Sequence, residues 1–250
     1  MPVVPPEQDA FGRALVDHLQ GRPAQPLRLQ TDDGSTTPAM PPGWFFEPAE
    51  SWVHWERQAL AAVTGPVLDL GAGAGRASLF LEALGHEVTA VDGSPGAIRV
   101  CREQGLRDAR LEDFLERLPS DRQWRTVLLQ CGNIGLAGSW EDTRRLLRQL
   151  HDVCAPDAVL IGDTVDPTVG ADEHDRKYQR RKVNAGGYVG DVVLRLVYGE
   201  LAGPWWKQTN VRVADVPRLV AGTGWTLADH FVAGADHYLK LCKTSLGDNP

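Results

Sequence analysis

Two periods of apolar and polar residues take turns along the middle of this chain. Short apolar runs occur at Val67 to Leu70, at Val88 to Val91 closing the segment from His86, at Thr126 to Gln130 and at Ala158 to Ile161. Runs this short, with no polar face, fit strands buried on both sides. The intervening segments have helical spacing. Arg76 to Leu84 places Ala77, Phe80, Leu81 and Leu84 on one face and stops at Gly85. Ser94 caps a helix through Gln104 that Gly105 ends, and Ser139-x-x-Asp142 opens one carrying Leu146, Leu147, Leu150 and Val153. Ala109 to Leu111 adds a short strand. Repeated β-α units with apolar strands predict an α/β fold whose parallel sheet is covered on both faces.

The flanks follow other patterns. Asp9 to Gln20 sets Phe11, Ala14, Leu15, His18 and Leu19 on one helical face, and Gly21 ends it. Residues 21–43, rich in Pro, Gly, Asp and Thr, predict an irregular connection. A second helix is expected with Pro48 in its first turn, running to about Val63. Late in the chain, Trp225 to Phe231 and His237 to Leu241 flank a Val-Ala-Gly-Ala turn and predict an antiparallel pair. Val189 to Tyr198 alternates well, Val192, Leu194, Leu196 and Tyr198 against Val193, Arg195 and Val197, and Gly203-Pro204 separates it from Trp205 to Val213, which predicts an inserted β-hairpin. The expected layout is an N-terminal helical cap or lid at 1–60, one domain at 61–243 with the insertion at about 166–212, and a tail at 244–250.

Chemistry concentrates after the first buried strand, in Asp69-Leu70-Gly71-Ala72-Gly73-Ala74-Gly75-Arg76. Glycines at a strand's end let the backbone turn sharply and approach a ligand. Asp92, at the tip of the next strand and about 20 residues on, is placed to accept from both hydroxyls of a ribose. A dinucleotide fingerprint would need a glycine where Arg76 stands, and Asp69 would repel a pyrophosphate while welcoming an ammonium group. S-adenosylmethionine carries that ammonium and no phosphate.

On these residues the segment resembles the class I S-adenosylmethionine-dependent methyltransferases, whose first motif is apolar-apolar-acid-x-Gly-x-Gly-x-Gly and whose second strand ends in an acid. The resemblance covers residues 60–165 strongly and 213–243 more weakly. It implies a Rossmann-like, mostly parallel seven-stranded sheet with an antiparallel last strand. It also implies that Gly71, Ala72, Gly73 and Gly75 approach the methionine end of the cofactor, that Asp69 holds its amino group, and that Asp92, with Gly93 and Ser94, meets the ribose. Glu112, Asp113 and Phe114 occupy the place that meets the adenine; the competing reading is a helix cap with a core ring. Gln130, Cys131 and Asn133 stand where the family lines the cofactor and the transferred methyl. They depart from the Asn-Pro-Pro-Tyr type of signature, which disfavours nucleic-acid bases and protein glutamine as acceptors.

Methyl transfer is an in-line displacement that chiefly needs alignment and exclusion of water. If the acceptor must lose a proton, His174 is the first candidate base and Asp166 the second, with His54 outside them. An acid-flanked surface histidine without a role is the plain alternative for His174. Trp44, Phe45, Phe46 and Trp52 form an aromatic segment suited to grip a sulfonium or an apolar acceptor, or simply to dock the cap. Tyr178, Arg195 and Trp205 are further substrate-binding candidates.

The 250 residues carry a net charge of -7, and the basic run from Arg176 to Lys182 reads as a solvated helix face. This argues against a nucleic-acid partner. Four cysteines lack paired metal spacing, so no metal site is expected. No membrane-length apolar run occurs, and the expectation is a cytoplasmic enzyme with a small-molecule acceptor. The alternatives are an S-adenosylmethionine-binding protein without transfer, either cyclase-like or a ligand sensor, and, more remotely, a nicotinamide oxidoreductase. Nothing in the sequence specifies an oligomeric state.

Overall fold

The computed structural model describes residues 2–244, so the tail expected at 244–250 lies outside it except for Thr244. In chain order it contains α1 (Ala10–Leu19), β1 (Leu27–Thr31), β2 (Thr36–Pro38), α2 (His54–Ala61), β3 (Val67–Leu70), α3 (Arg76–Ala83), β4 (Val88–Asp92), α4 (Pro95–Glu103), β5 (Ala109–Leu111) and β6 (Trp124–Leu129). It continues with α5 (Trp140–Val153), β7 (Cys154–Val165), α6 (Glu173–Asn184), β8 (Asp191–Tyr198), β9 (Leu201–Ala202), β10 (Trp206–Thr209), α7 (Val216–Val220), β11 (Trp225–Ala233) and β12 (Asp236–Lys243).

The main sheet has seven strands in the order β11-β12-β7-β6-β3-β4-β5. β3 and β4, β4 and β5, and β6 and β7 run parallel, while β12 is antiparallel to β7 and to β11. This is the α/β architecture expected from the alternating pattern, with the reversed last strand that the family resemblance implies. All residues of β3 and β4 are buried, the polar Asp69, Thr89 and Asp92 included. The chain divides into two compact units, one running to Arg117 and including Val193–Trp206, the other comprising 118–192 and the residues from Lys207 onward.

In the first unit, α1 crosses α4 where two glycines meet. A Cβ on Gly12 would fall 2.6 Å from the Cα of Gly96, so neither position has room for a side chain. Asp9 joins the two helix starts: its carboxylate accepts from the Gly12 amide, the Gly96 amide and the Ser94 hydroxyl. Burying an acid here is favourable because it satisfies donors that helix N-termini leave open. His18 and Leu84, expected on apolar faces, are exposed, since each lies in the last turn or just beyond it.

Two expectations for this unit are corrected. Residues 21–43 are not wholly irregular: β1 and β2 pair with each other, and β1 pairs with β8 from Leu27↔Tyr198 to Thr31↔Leu194. The segment around Pro48 is not the start of a long helix. Two 3₁₀ turns, Pro42–Phe46 and Ala49–Ser51, precede the short α2, because Pro41, Pro42 and Pro48 interrupt helical hydrogen bonding. The inserted hairpin also has more parts than expected: β8 turns at Gly199 into β9, and the second sheet runs β10-β8-β1-β2.

In the second unit, Ser139 caps α5 by accepting from the Asp142 amide, and Leu146, Leu147 and Leu150 are buried along it. α6 carries a full capping box between Asp172 and Asp175 but buries no residue. Among the described residues no helix is long and apolar enough to cross a membrane.

Candidate functional site

The turn after β3 is pinned on every side. Gly71, Gly73 and Gly75 have φ of +79°, +58° and +82°, the left-handed region that only glycine enters without strain. The Gly73 amide donates to Asp92 Oδ2 at 2.9 Å, and its carbonyl accepts from the Cys101 thiol. Gln104 donates to the Ala74 carbonyl, and the Gly71 amide to the Val91 carbonyl. A loop held this way needs no reorganisation to meet a ligand.

Asp69 and Asp92 are both buried at this turn. Asp92 Oδ1 accepts from the Ser94 amide at 2.8 Å, so each of its oxygens already takes one backbone donor and keeps a further lone pair. Asp69 Oδ2 accepts from the Ser78 hydroxyl at 2.6 Å. Burial pushes both carboxyls up to about 6, with the mutual charge adding to the rise in Asp69 and Asp9 adding to it in Asp92. The hydrogen bonds from Ser78, Ser94 and Gly73 oppose the rise without cancelling it. Two desolvated acids side by side favour a cationic, hydroxyl-bearing ligand, which supplies what the fold withholds. The residues therefore fit an amino group at Asp69 and ribose hydroxyls at Asp92.

Phe11 and Phe45 stand over the turn, edge to face at 5.1 Å, and a Cβ on Gly73 would touch both rings. Phe11 was read from sequence only as part of a helix face. The aromatic segment is anchored by Arg76, whose guanidinium lies 4.1 Å from the Trp44 ring and 4.4 Å from Trp52 while pairing with the buried Glu56 at 2.6 Å. Trp52 also donates to the Glu47 carbonyl and packs on Phe80. Trp44 and Trp52 thus dock the segment, and Phe46 stacks against His18. A cleft of about 330 Å³ opens beside them, lined by Phe45, Phe46, Trp52, Arg76, Phe80 and Gln104 among others.

The remaining candidates of the first unit have assignable structural work. Ser94 donates to Asp9 and caps α4 by accepting from Ala97, and the Gly93 carbonyl accepts from Val4. Asp113 caps a turn through the Leu115 amide, Phe114 is buried, and the Glu112 amide donates to the Asp92 carbonyl. Arg195 bonds Gln30 and stacks 4.5 Å from Trp205 on the second sheet, and His54 is exposed at the start of α2.

In the second unit, the loop after β6 takes a conformation no motif announced. Cys131 has φ +58° and Gly132 +78°, which turns both amides onto the Asp163 carboxylate of β7. A left-handed non-glycine residue stores strain of the kind that collects at functional sites. Asp163 was missed, although an acid inside an apolar strand was a visible signal. Gln130 and Asn133 belong to the same loop, the Asn133 amide donating to the Gln130 carbonyl. His174 is exposed in the first turn of α6; Asp166 accepts from the amide and hydroxyl of Thr168; Tyr178 packs against Arg181 and Lys182. Among the described residues no cluster of His, Cys, Asp and Glu is arranged to hold a metal.

The profile of a methyltransferase-domain family matches residues 67–157, from β3 into β7. No curated protein matches the chain in sequence. Among solved structures, the chain is similar to an S-adenosylmethionine-dependent methyltransferase from Bacteroides fragilis in complex with S-adenosylhomocysteine. The two share 24% identity over 97% of this chain and 98% of that one, with a TM-score of 0.80. The DhpI–S-adenosylhomocysteine complex has 19% identity over 95% and 96% of the two chains, TM-score 0.60. A 1,6-didemethyltoxoflavin-N1-methyltransferase from Burkholderia thailandensis, with 1,6-didemethyltoxoflavin and S-adenosylhomocysteine bound, has 18% identity over 81% of each, TM-score 0.51.

Proposed function

The chain carries a methyltransferase domain at residues 67–157 and the fold of the class I S-adenosylmethionine-dependent methyltransferases, and on that premise we propose that it methylates a small organic acceptor. The observation that carries the donor half is the buried Asp69–Asp92 pair at the glycine turn, both pushed up to about 6 and both acceptor-only when ionised. When bound, the cofactor supplies a methyl group activated by its sulfonium. Asp69 takes the amino group, Asp92 the ribose hydroxyls, and Phe11 and Phe45 shield the turn from water. Gly71, Ala72, Gly73 and Gly75 bring backbone close to the methionine end, and the loop bearing Glu112–Phe114 is the proposed adenine neighbour; Gln130, Cys131 and Asn133 are retained as proposed cofactor-lining residues of the second unit.

A small acceptor is supported by the acidic net charge and by a fold neighbour whose name specifies a small heterocycle. Asp166, Tyr178, Arg195, Trp205 and the aromatic segment remain proposed acceptor-side residues, while His174, exposed in the first turn of α6, is read as an acid-flanked surface histidine. The 1–60, 61–243 and tail divisions are retained as the proposed domain layout, and a cytoplasmic location as the proposed setting. Incubation with S-adenosylmethionine and a panel of phenols, amines and N-heterocycles should release S-adenosylhomocysteine with at least one of them. Tight cofactor binding with no turnover on any would favour a ligand sensor instead.

A further inference from the structure

Among the described residues of the second unit, four buried side-chain polar atoms have no hydrogen-bond partner, and two of them belong to one imidazole. His237 is 4% exposed, and neither Nδ1 nor Nε2 has a hydrogen-bond partner among the described residues. A neutral imidazole presents one donor and one acceptor, and leaving both unmet in the interior is unfavourable. Native interiors rarely tolerate such a group unless it has a further role.

Its place in the sheet supplies the role. β12 begins at Asp236 and runs antiparallel to β7, so His237 lies opposite Thr164, one residue before β7 ends. This is the carboxyl edge of the parallel strands, where open α/β sheets bind their ligands. Directly opposed residues share a face, so His237 stands with Thr164, Leu239 and Gly162. Ile134, from the turn that follows the loop Gln130–Asn133, covers that face at Gly162. Val211 donates its amide to Thr164 Oγ1 at 2.7 Å, which leaves the Thr164 hydroxyl proton to give. On the β11 side the opposed residue is Val232, which offers no polar atom.

We propose that His237 contacts the methyl acceptor and takes its proton, an inference that rests on the methyltransferase reading above. The acceptor is then a hydroxyl- or N–H-bearing compound. Its heteroatom bonds to the methyl carbon as the carbon–sulfur bond breaks with the electron pair passing to sulfur. The acceptor's proton moves to the free imidazole nitrogen and from there to solvent. Thr164 orients the same polar group through its hydroxyl.

The test uses the full chain saturated with S-adenosylhomocysteine and labelled with ¹⁵N in histidine, titrated with phenol, 3-hydroxypyridine and aniline as probes. At least one probe should move the ring resonances of His237. In His237→Gln that probe should bind about tenfold more weakly, the loss of one hydrogen bond, while S-adenosylhomocysteine affinity is unchanged. Ligand-free His237→Leu, of similar volume, should melt no lower than wild type, because no intramolecular hydrogen bond is lost. Silence of the His237 resonances toward all three probes, equal probe affinity in His237→Gln, or a lowered melting temperature in His237→Leu would each overturn the proposal. Failure of the wild type to bind S-adenosylhomocysteine would instead overturn the methyltransferase reading on which it rests.

Discussion

The glycine turn after β3 and the edge where β7 meets β12 treat polar groups in opposite ways. At the turn, Gly73 is held through both its amide and its carbonyl, and the buried Asp92 accepts backbone donors on both oxygens. At the β7–β12 edge, an imidazole is buried with no hydrogen-bond partner among the described residues. The backbone of the first is held in place before ligand arrives; on our proposal the second gains its hydrogen bonds only with one. A methyl donor common to a whole family can be met by a rigid cradle, whereas an acceptor particular to one enzyme is met by groups that wait for it.

The largest effect expected on this contrast is structural. Replacing Arg76 with Ala leaves Glu56 buried without its guanidinium and frees Trp44 and Trp52, and should cost about 3–5 kcal/mol in denaturant unfolding. A loss below about 1 kcal/mol would show that the turn is less rigidly supported than its contacts imply. Next, Asp92→Ala should weaken S-adenosylhomocysteine binding by about 1.5–3 kcal/mol, measured calorimetrically, through loss of charge-assisted hydrogen bonds. Unchanged affinity in a folded variant would remove the ribose assignment.

A smaller effect comes from pH. Asp69 and Asp92 are pushed up to about 6, so lowering the pH from 7 to 5 protonates them before cofactor can bind. Affinity for S-adenosylmethionine should fall by about tenfold for each carboxyl that must be deprotonated. Stability of the ligand-free protein moves the other way. A carboxyl raised above its unfolded value holds its proton more tightly when folded, so stability falls as pH rises from about 4 to about 6. A calorimetric pH series checks both signs. Smallest of all, His174→Ala should change acceptor turnover by no more than about twofold, as for a surface position, while His237→Gln should not be so tolerant. Equal losses in the two would erase the distinction between an exposed and a buried histidine.

The donor half was legible because its signals are local. Asp69, the three glycines and Asp92 lie within two consecutive β-α units, and the turn they form is dictated by φ values that glycine alone accepts easily. The parallel sheet followed from the apolar runs and the antiparallel pair from a short turn, while the reversed last strand was implied by the family resemblance. What escaped has non-local causes. β1 and β2 exist because β8, far along the chain, pairs with them, and their own three to five residues carry little apolar pattern. Pro41, Pro42 and Pro48 broke up the expected second helix, although Pro48 had been read as a helix start. Arg76 was read only as the wrong residue for a dinucleotide site, whereas its tryptophan and glutamate partners come from 20 to 32 positions earlier. His237 looked like an ordinary strand residue; its lack of partners is visible only when the neighbouring strands are in place.

The most direct test of the account is a calorimetric titration of wild type and Asp92→Ala with S-adenosylhomocysteine and with NAD. The account predicts one S-adenosylhomocysteine site per chain in the wild type, marked weakening in Asp92→Ala, and no comparable binding of NAD. Binding of NAD in preference to S-adenosylhomocysteine, or an Asp92→Ala variant that binds as well as wild type, would contradict it.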